Sequence, residues 1–542
     1  MSSKRFNTVL AVIVLLAACA PLFTINCIGG DDIIYHLLRI EALKEGILAG
    51  RPFLRINMLF FGGAGYASSM FYPDLLLYFP ALLRAIGTQI NLSFHLFVAL
   101  CIILGFASSY YCAKYVSGSD YAALATAVIF TLYQYHIDDI YTRSAVGEYT
   151  AVIFVPFVIA GLYDLLYAKY ERPWMLFAGM TGVLLCHTIT AVICVVLCLA
   201  FFLTGAGRLI KDRTVMLKLI LTALAVLAVT AFYWIPVLEI MLQGVLSTDH
   251  FFDMEYESVK LWEMLFNKTC RMGAAVFLLL LIRPALKKKD RFADTCALSG
   301  IVLAAVSTSL LPWGRLQELL GFMQFPWRVY VITGPLLAFA EGCYIRDLAA
   351  EISGTDEERK ETVMRLIVIV TTAIMLLSLT CNLQRNEKEY YSYSDDYFRY
   401  KPYTAEVIGG EWLPVAAADR DALIAGSDTA RAEDGSEYKV ERNRNELSVS
   451  GISSGTEYVD VPFVYYKGYA AEDSSGKRLT VSGEGDNGLT RVYTQGAESI
   501  RVWYAGTAAQ HAGDAVSILS VILIAAWVMM RRRKDTPPDK NG

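Results

Sequence analysis

The sequence predicts an all-α, multi-spanning membrane protein carrying a C-terminal extracytoplasmic domain of β-sandwich type. Three observations predict it. The 542 residues are 55% hydrophobic and only 18% charged, with a mean hydropathy of +0.42. Apolar runs long enough to cross a hydrocarbon core of roughly 30 Å recur along most of the chain, and helices with internally satisfied backbones are one of the two ways to cross one. The stretch between about 382 and 512 instead shows short alternating segments punctuated by Gly, Ser and Asn.

The first run, about 7–28, resembles a secretory signal but has a full span's length, so it reads as a retained helix. Further spans are expected at about 92–113, 121–137, 148–168, 173–187, 188–205, 215–238, 272–286, 293–311, 322–345, 363–381 and 514–530, twelve in all. That count puts Lys4/Arg5, Lys169/Arg172, Arg208/Lys211/Arg213, Lys287–Lys289/Arg291, Arg359/Lys360 and Arg531–Lys534 on one side. By the positive-inside rule this side, with both termini, is cytoplasmic. "MFYPDLLLYFPALLRAI" (Met70 to Ile86) carries Pro73, Asp74 and Pro80 and reads as re-entrant or interfacial, since a full span there would invert the charge bias downstream.

The domains expected are therefore a transmembrane domain over 1–381 with a first outer loop at 29–91, a β-rich outer domain over 382–512, and a last helix with a disordered basic tail over 513–542. Strands are expected in Glu446–Gly451, Tyr458–Tyr466, Arg478–Gly485, Thr490–Gly496 and Ser499–Gly506. Aromatics there, Tyr465, Tyr466, Tyr469, Trp503 and Tyr504, offer either core packing or stacking surfaces for a glycan.

The eleven cysteines lie in or beside apolar runs without paired spacing, which excludes a disulfide scaffold. His36, His95, His136, His187, His250 and His511 are scattered singly, so no zinc signature and no metal site is assigned. Dispersed basic residues exclude nucleic acid as a partner, and no G-x-x-x-x-G-K-[ST] phosphate loop is present.

Charge gathers in a few places. In "GGDDIIYHLLR" (Gly29 to Arg39), a helix starting near Asp32 stacks His36 and Arg39 on one face. Asp31 or Asp32 would cap it. Alternatively, the carboxylate at the membrane boundary acts as a general base or holds a divalent cation, with His36 and Arg39 binding an anionic group. "YHIDDIYTRSAVGE" places His136, Asp138, Asp139, Arg143 and Glu148 in one short outer loop, Arg143 being a candidate phosphate clamp. In "QFPWRVY", Gln324 and Arg328 sit at headgroup level, where Arg328 either snorkels or meets a lipid phosphate, with Arg315 near it in sequence. His187 lies at a polar junction between two spans. Glu239, at a helix end where a carboxylate is disfavoured, calls for a partner such as Arg143 or Arg328.

These residues, with "GG-GY" (Gly62 to Tyr66), "MFYPDLLLYFP", "YTRSAVGE", "CHTIT", "FYWIPVLE", "QFPWRVY", "EWLP" (Glu411 to Pro414) and "VPFVYYKGY" (Val461 to Tyr469), resemble one bacterial family nearly throughout the chain. It is the family labelled 6-pyruvoyl-tetrahydropterin synthase-related membrane proteins. It is similar to GT-C glycosyltransferases, including those that glycosylate lipoteichoic acid. The pterin label transfers no chemistry, because the soluble enzyme's histidine zinc site has no counterpart here. What the resemblance implies is a GT-C-like core, a polyprenyl-phosphate-linked sugar donor, and inverting transfer to a cell-envelope glycan or lipid acceptor on the outer face. It implies Asp32, beside Asp31, as the base, and Arg143 and Arg328 as holders of the lipid phosphate. The competing class is a non-enzymatic transporter of lipid-linked glycans or an envelope-assembly protein that uses the same charged cavity. Cytoplasmic segments too short for an output domain count against a signalling receptor.

Overall fold

A computed structural model of the protein describes residues 3–243, 246, 252–266, 271–385, 390–391, 393, 410–443 and 445–535. His250 and Cys270 lie outside the described residues, as does the expected disordered tail from 536 on; up to Asp535 the last helix continues.

Among the described residues five helices are long and apolar enough to cross a bilayer: Lys4–Leu22, Ile90–Ser117, Thr188–Leu209, Glu357–Gln384 and Ala508–Met530. Arg213–Val229 and Ala231–Met241 would make a sixth as one span, but they bend by 72° at Thr230, where 215–238 was expected to run straight. The expected twelve are thus not confirmed among the described residues. Other predicted spans are short apolar helices, among them Asp120–Leu132, Val155–Tyr167 and Pro173–Leu184. Thirteen residues at a rise of roughly 1.5 Å cover only about 20 Å. The reason is visible in Asp120–Leu132, where every residue from Tyr121 on is buried. Hydropathy does not distinguish a helix walled in by protein from one facing lipid. Tyr133, in extended conformation, then breaks the expected 121–137 span before a second helix, Gln134–Tyr141. The Met70–Ile86 segment forms the short apolar helix Leu75–Ala85, too short to be a span.

The chain divides into two compact units. The first comprises 1–47, 72–219 and 249–399. At its centre Asp120–Leu132 packs against Ile90–Ser117, Tyr330–Ser353 and Glu357–Arg385, and Tyr330–Ser353 also packs on Arg291–Val306. A two-residue strand β1 (Cys27–Ile28) pairs antiparallel with β2 (Tyr390–Tyr391).

The second unit comprises 48–71, 220–248 and 400–542, so part of the expected first outer loop belongs with the C-terminal half. Ala231–Met241 packs there against the last helix. Eight strands follow: β3 (Thr429–Ala432), β4 (Glu437–Asn443), β5 (Glu446–Ser450), β6 (Tyr458–Val464), β7 (Tyr469–Asp473), β8 (Arg478–Ser482), β9 (Leu489–Tyr493) and β10 (Ser499–Tyr504). They form a closed antiparallel barrel in the order β10-β5-β4-β3-β6-β9-β8-β7, β7 pairing back onto β10. This corrects the expected sandwich. Alternating inward residues such as Leu447, Val449, Val459, Val461, Val492 and Val502 fill the interior. The same alternation serves a sandwich, and closure depends on β10 pairing with both β5 and β7. The "GG-GY" segment lies against this barrel: Val464 donates its N–H to the Ala64 carbonyl at 2.8 Å, and Arg442 donates to the Gly63 carbonyl at 2.7 Å. Gly63 at φ +99° and Gly65 at φ +92° adopt backbone that side chains disfavour.

Candidate active site

The structure brings the first two charged stretches together in the first unit. The turn before helix Ile33–Leu48 lies along residues 142–144: Asp31 N–H donates to the Thr142 carbonyl at 3.4 Å and Asp32 N–H to the Arg143 carbonyl at 2.9 Å. The approach needs glycine, since a Cβ on Gly30 would stand 2.2 Å from the Ser144 hydroxyl. Ser144 itself has φ +53°, a left-handed conformation uncommon outside glycine and often held at functional sites.

Asp31 is exposed and Asp32 half-buried. Among the described residues neither carboxylate accepts a hydrogen bond, so the capping role is not taken up and the lone pairs of Asp32 stay available. Burial pushes the Asp32 carboxyl up to about 6; Arg143 and Arg328 pull it down, while Asp31 and Glu148 push it further up.

Behind Asp32, buried Glu148 is shared between two arginines. Its Oε1 accepts from Arg143 Nη2 at 3.1 Å and Arg328 Nε at 2.8 Å, and its Oε2 accepts from Tyr135 at 2.6 Å. Asp139 takes Arg143 Nη1 at 2.5 Å. Arg328 Nη1 donates to the Met323 carbonyl and to Gln324 Oε1, each at 2.8 Å, while its Nη2 is engaged by no described residue. Gln324 holds this position at φ +65°. The Arg143 guanidinium also sits 4.7 Å from the Trp327 ring centre. Arg143, Asp139, Glu148 and Arg328 thus fix one another, and among the described residues Nη2 of Arg328 meets no acceptor.

Arg39 does not join that set, contrary to expectation. Fully buried, it is spent on Asp74 at 2.5 Å and on the Tyr72 and Pro73 carbonyls, and its Nη1 donates to His36 Nδ1 at 3.1 Å. An arginine only donates, so neutral His36 carries its proton on Nε2; burial, with Arg39 and His187, holds its pKa well below the usual range. His36 and Arg39 therefore brace each other, and among the described residues the His36 Nε2–H meets no acceptor. Tyr72, under the Arg39 guanidinium at 4.3 Å, touches His187 ring to ring at 5.8 Å, and its hydroxyl abuts Gly147.

The remaining candidates separate. His187 caps helix Thr188–Leu209, accepting from the Thr190 N–H and side chain through Nδ1, which leaves Nε2–H as a donor. His136 is buried and stacked on Tyr133 at 5.7 Å, and among the described residues neither of its ring nitrogens is hydrogen-bonded. Glu239 pairs in the second unit with Lys467 at 3.1 Å and Thr507 at 2.6 Å, instead of with Arg143 or Arg328. Tyr72 and Tyr135 were missed by motif reading; only their adjacency to charged stretches marked them. Among the described residues no group of three His, Cys, Asp or Glu is placed to hold a metal ion.

No family model matches the chain. An uncharacterized protein of Lactococcus lactis subsp. cremoris (strain MG1363) is 23% identical over 258 residues, which is 46% of this chain and 42% of that protein's length. Among solved structures, the mycobacterial arabinofuranosyltransferase AftD superposes at TM-score 0.42 and 16% identity, covering 71% of this chain and 27% of that one. ArnT from Cupriavidus metallidurans, bound to undecaprenyl phosphate, gives 0.43 and 14%, covering 71% and 77%. The Archaeoglobus fulgidus oligosaccharyltransferase gives 0.44 and 10%, covering 70% and 56%. The chain is thus similar to three membrane glycosyl-transfer enzymes, at scores that establish neither a common fold nor a common activity.

Proposed function

We propose that the chain is an integral-membrane glycosyltransferase of GT-C type, moving a sugar from a polyprenyl-phosphate donor to an extracytoplasmic envelope acceptor, with Asp32 as general base. The observation that carries this reading is the unbonded, half-buried carboxylate of Asp32 held by backbone against the Arg143 loop. An ionised Asp32 accepts the proton of an acceptor hydroxyl. The freed oxygen attacks C1 of the donor sugar from the face opposite the phosphate. The C1–O bond breaks, and polyprenyl phosphate leaves with the electron pair.

Arg328 Nη2 and His187 Nε2–H are the donors that would meet the developing phosphate charge. Arg143 contributes its charge at one remove, through Glu148 and the backbone contact to Asp32. A pKa near 6 suits the base: it is ionised at neutral pH and more basic than an ordinary carboxylate. The site is read as facing outward, both termini as cytoplasmic, from the distribution of Lys and Arg.

The test compares envelope glycans and polyprenyl-linked sugars in cells carrying the native chain or Asp32→Asn. Loss of the glycan with accumulation of the lipid-linked sugar supports transfer. Unchanged glycans with Asp32→Asn rule out Asp32 as the base and favour the non-enzymatic lipid-linked glycan transporter or assembly protein.

A further inference from the structure

Segments 252–266 and 309–325 of the first unit build a lobe that includes Arg315 and Gln324. They are sewn together by main chain and amide: Ser309 N–H donates to the Val259 carbonyl at 2.9 Å, Met254 N–H to Gln317 Oε1 at 2.8 Å, and Gln317 Nε2 to the Phe252 carbonyl at 2.9 Å. Trp313 is buried beneath, its indole N–H on the Thr308 carbonyl at 3.2 Å.

The outer surface of this lobe sets bulky apolar side chains among exposed charges at Asp253, Glu255, Lys260, Arg315 and Glu318, an amphipathic composition. Tyr256, Trp262, Phe266, Leu310, Leu319 and Phe322 are all exposed, Tyr256 by 86% and Leu319 by 72%. Bulky side chains at this density on an exterior mark a contact surface. Two features choose the occupant. Helix Arg291–Val306, which leads into the lobe through buried Ser307 and Thr308, itself exposes Leu298, Ile301 and Val302, so apolar side chains face outward on both sides of that junction. Tyr256, in a turn, and Trp262, just before helix Glu263–Phe266, accompany Leu and Phe, the composition of the hydrocarbon–headgroup boundary.

The geometry points to a lipid-seated lobe: residues 252–266 and 309–325 rest on the bilayer surface beside the candidate active site. The lobe is joined to that site by stacking. Phe252 meets Phe325 at 4.6 Å, and Phe325 lies parallel on Trp327 at 4.4 Å. Met323 and Gln324, the acceptors that orient Arg328, belong to the same lobe. A lobe held by lipid therefore sets the height of the Arg328 guanidinium relative to the headgroups, where a lipid-linked phosphate resides. The location stands apart from the transferase reading, and its test reads depth, not activity.

Full-length protein carrying Leu319→Cys, labelled with a bimane and reconstituted in phosphatidylcholine nanodiscs, is quenched either by dibrominated acyl chains or by aqueous iodide. Native protein treated identically supplies the background of its own cysteines. Ser475→Cys, on an exposed barrel turn, is the aqueous control. The expected result is roughly two-fold stronger quenching by brominated lipid than by iodide at 319 and the reverse at 475. Stronger or equal quenching by iodide at 319 overturns the proposal. Protection from both also overturns it, because it would mean that protein, a partner or a second copy, covers the patch. Leu310→Cys repeats the measurement should Leu319→Cys fail to fold.

Discussion

The Asp32 N–H donates to the Arg143 carbonyl at 2.9 Å, so the proposed base is tied by a backbone bond to the loop that carries Arg143. Substitution of either side chain should leave that bond in place, which makes the chemistry of each separable from its position.

The first prediction concerns pH. As a base Asp32 must be ionised, so transfer rises with pH and is half-maximal near the Asp32 pKa of about 6. Asp31 is one of the groups pushing that pKa up, so Asp31→Asn should move the midpoint to lower pH without abolishing turnover. Stability has the opposite sign. A carboxyl raised in the folded state favours the fold fully below its ordinary range and loses that contribution as pH passes about 6. Asp32→Asn should therefore unfold at a higher temperature near neutral pH, by on the order of 1–3 kcal/mol, while transfer falls by roughly 10²–10⁴-fold. A variant that loses both stability and transfer would mean Asp32 is structural.

Glu148 separates structure from binding in another way. It is buried between Arg143 and Arg328, and removing it leaves two guanidiniums competing in one space. Glu148→Gln should cost about 3–5 kcal/mol in detergent unfolding, whereas Asp31→Asn at the exposed neighbour should fall within about 0.5 kcal/mol. Equal effects would show that the buried network carries no special weight.

Much of this site was legible in sequence because charge in an apolar chain is conspicuous. Asp32, Arg143, Glu148 and Arg328 stood out as polar breaks between greasy runs, and the structure gathers them. What the sequence hid was pairing. Nothing in "DDIIYHLLR" tells that Arg39 turns inward to Asp74 while Asp32 stays unbonded, or that Glu239 finds Lys467. Such choices depend on contacts distant in the chain. The count of twelve spans is not confirmed for a related reason, since hydropathy alone does not tell that Asp120–Leu132 is surrounded by protein. Five barrel strands were visible from their alternation; β3, β4 and β7 were not, and β4, reading "EYKVERN", has only Val440 buried. Closure into a barrel is a property of register that alternation does not encode.

The close approach of Gly30 to Ser144 gives a compensating pair. A methyl group at 30 would meet the Ser144 hydroxyl at 2.2 Å and its Cβ at 2.8 Å, so Gly30→Ala should destabilise by about 1–3 kcal/mol and impair transfer by displacing Asp32. Ser144→Gly removes the obstructing side chain and suits φ +53°. The double variant Gly30→Ala/Ser144→Gly should recover most of the lost unfolding temperature and activity. Simple additivity of two losses would show that the two residues do not meet.

In the second unit Arg442 tests how the glycine segment is held. Its Nη1 donates to the Gly63 carbonyl at 2.7 Å, and its Nη2 to the carbonyls of Ser427 at 2.6 Å and Pro462 at 3.3 Å. A lysine ammonium has the charge but not the planar fork, so it cannot serve carbonyls on three segments at once. Arg442→Lys should thus free residues 60–66 from the barrel while leaving the strands paired. The readout is limited proteolysis: cleavage near Gly62–Gly65 should accelerate about ten-fold, equivalent to roughly 1.4 kcal/mol of local opening, with the circular-dichroism signature of the β-sheet unchanged. If cleavage keeps the native rate, the segment is held by Val464 N–H and by the packing of Phe60, Phe61 and Tyr66, and the arginine is dispensable.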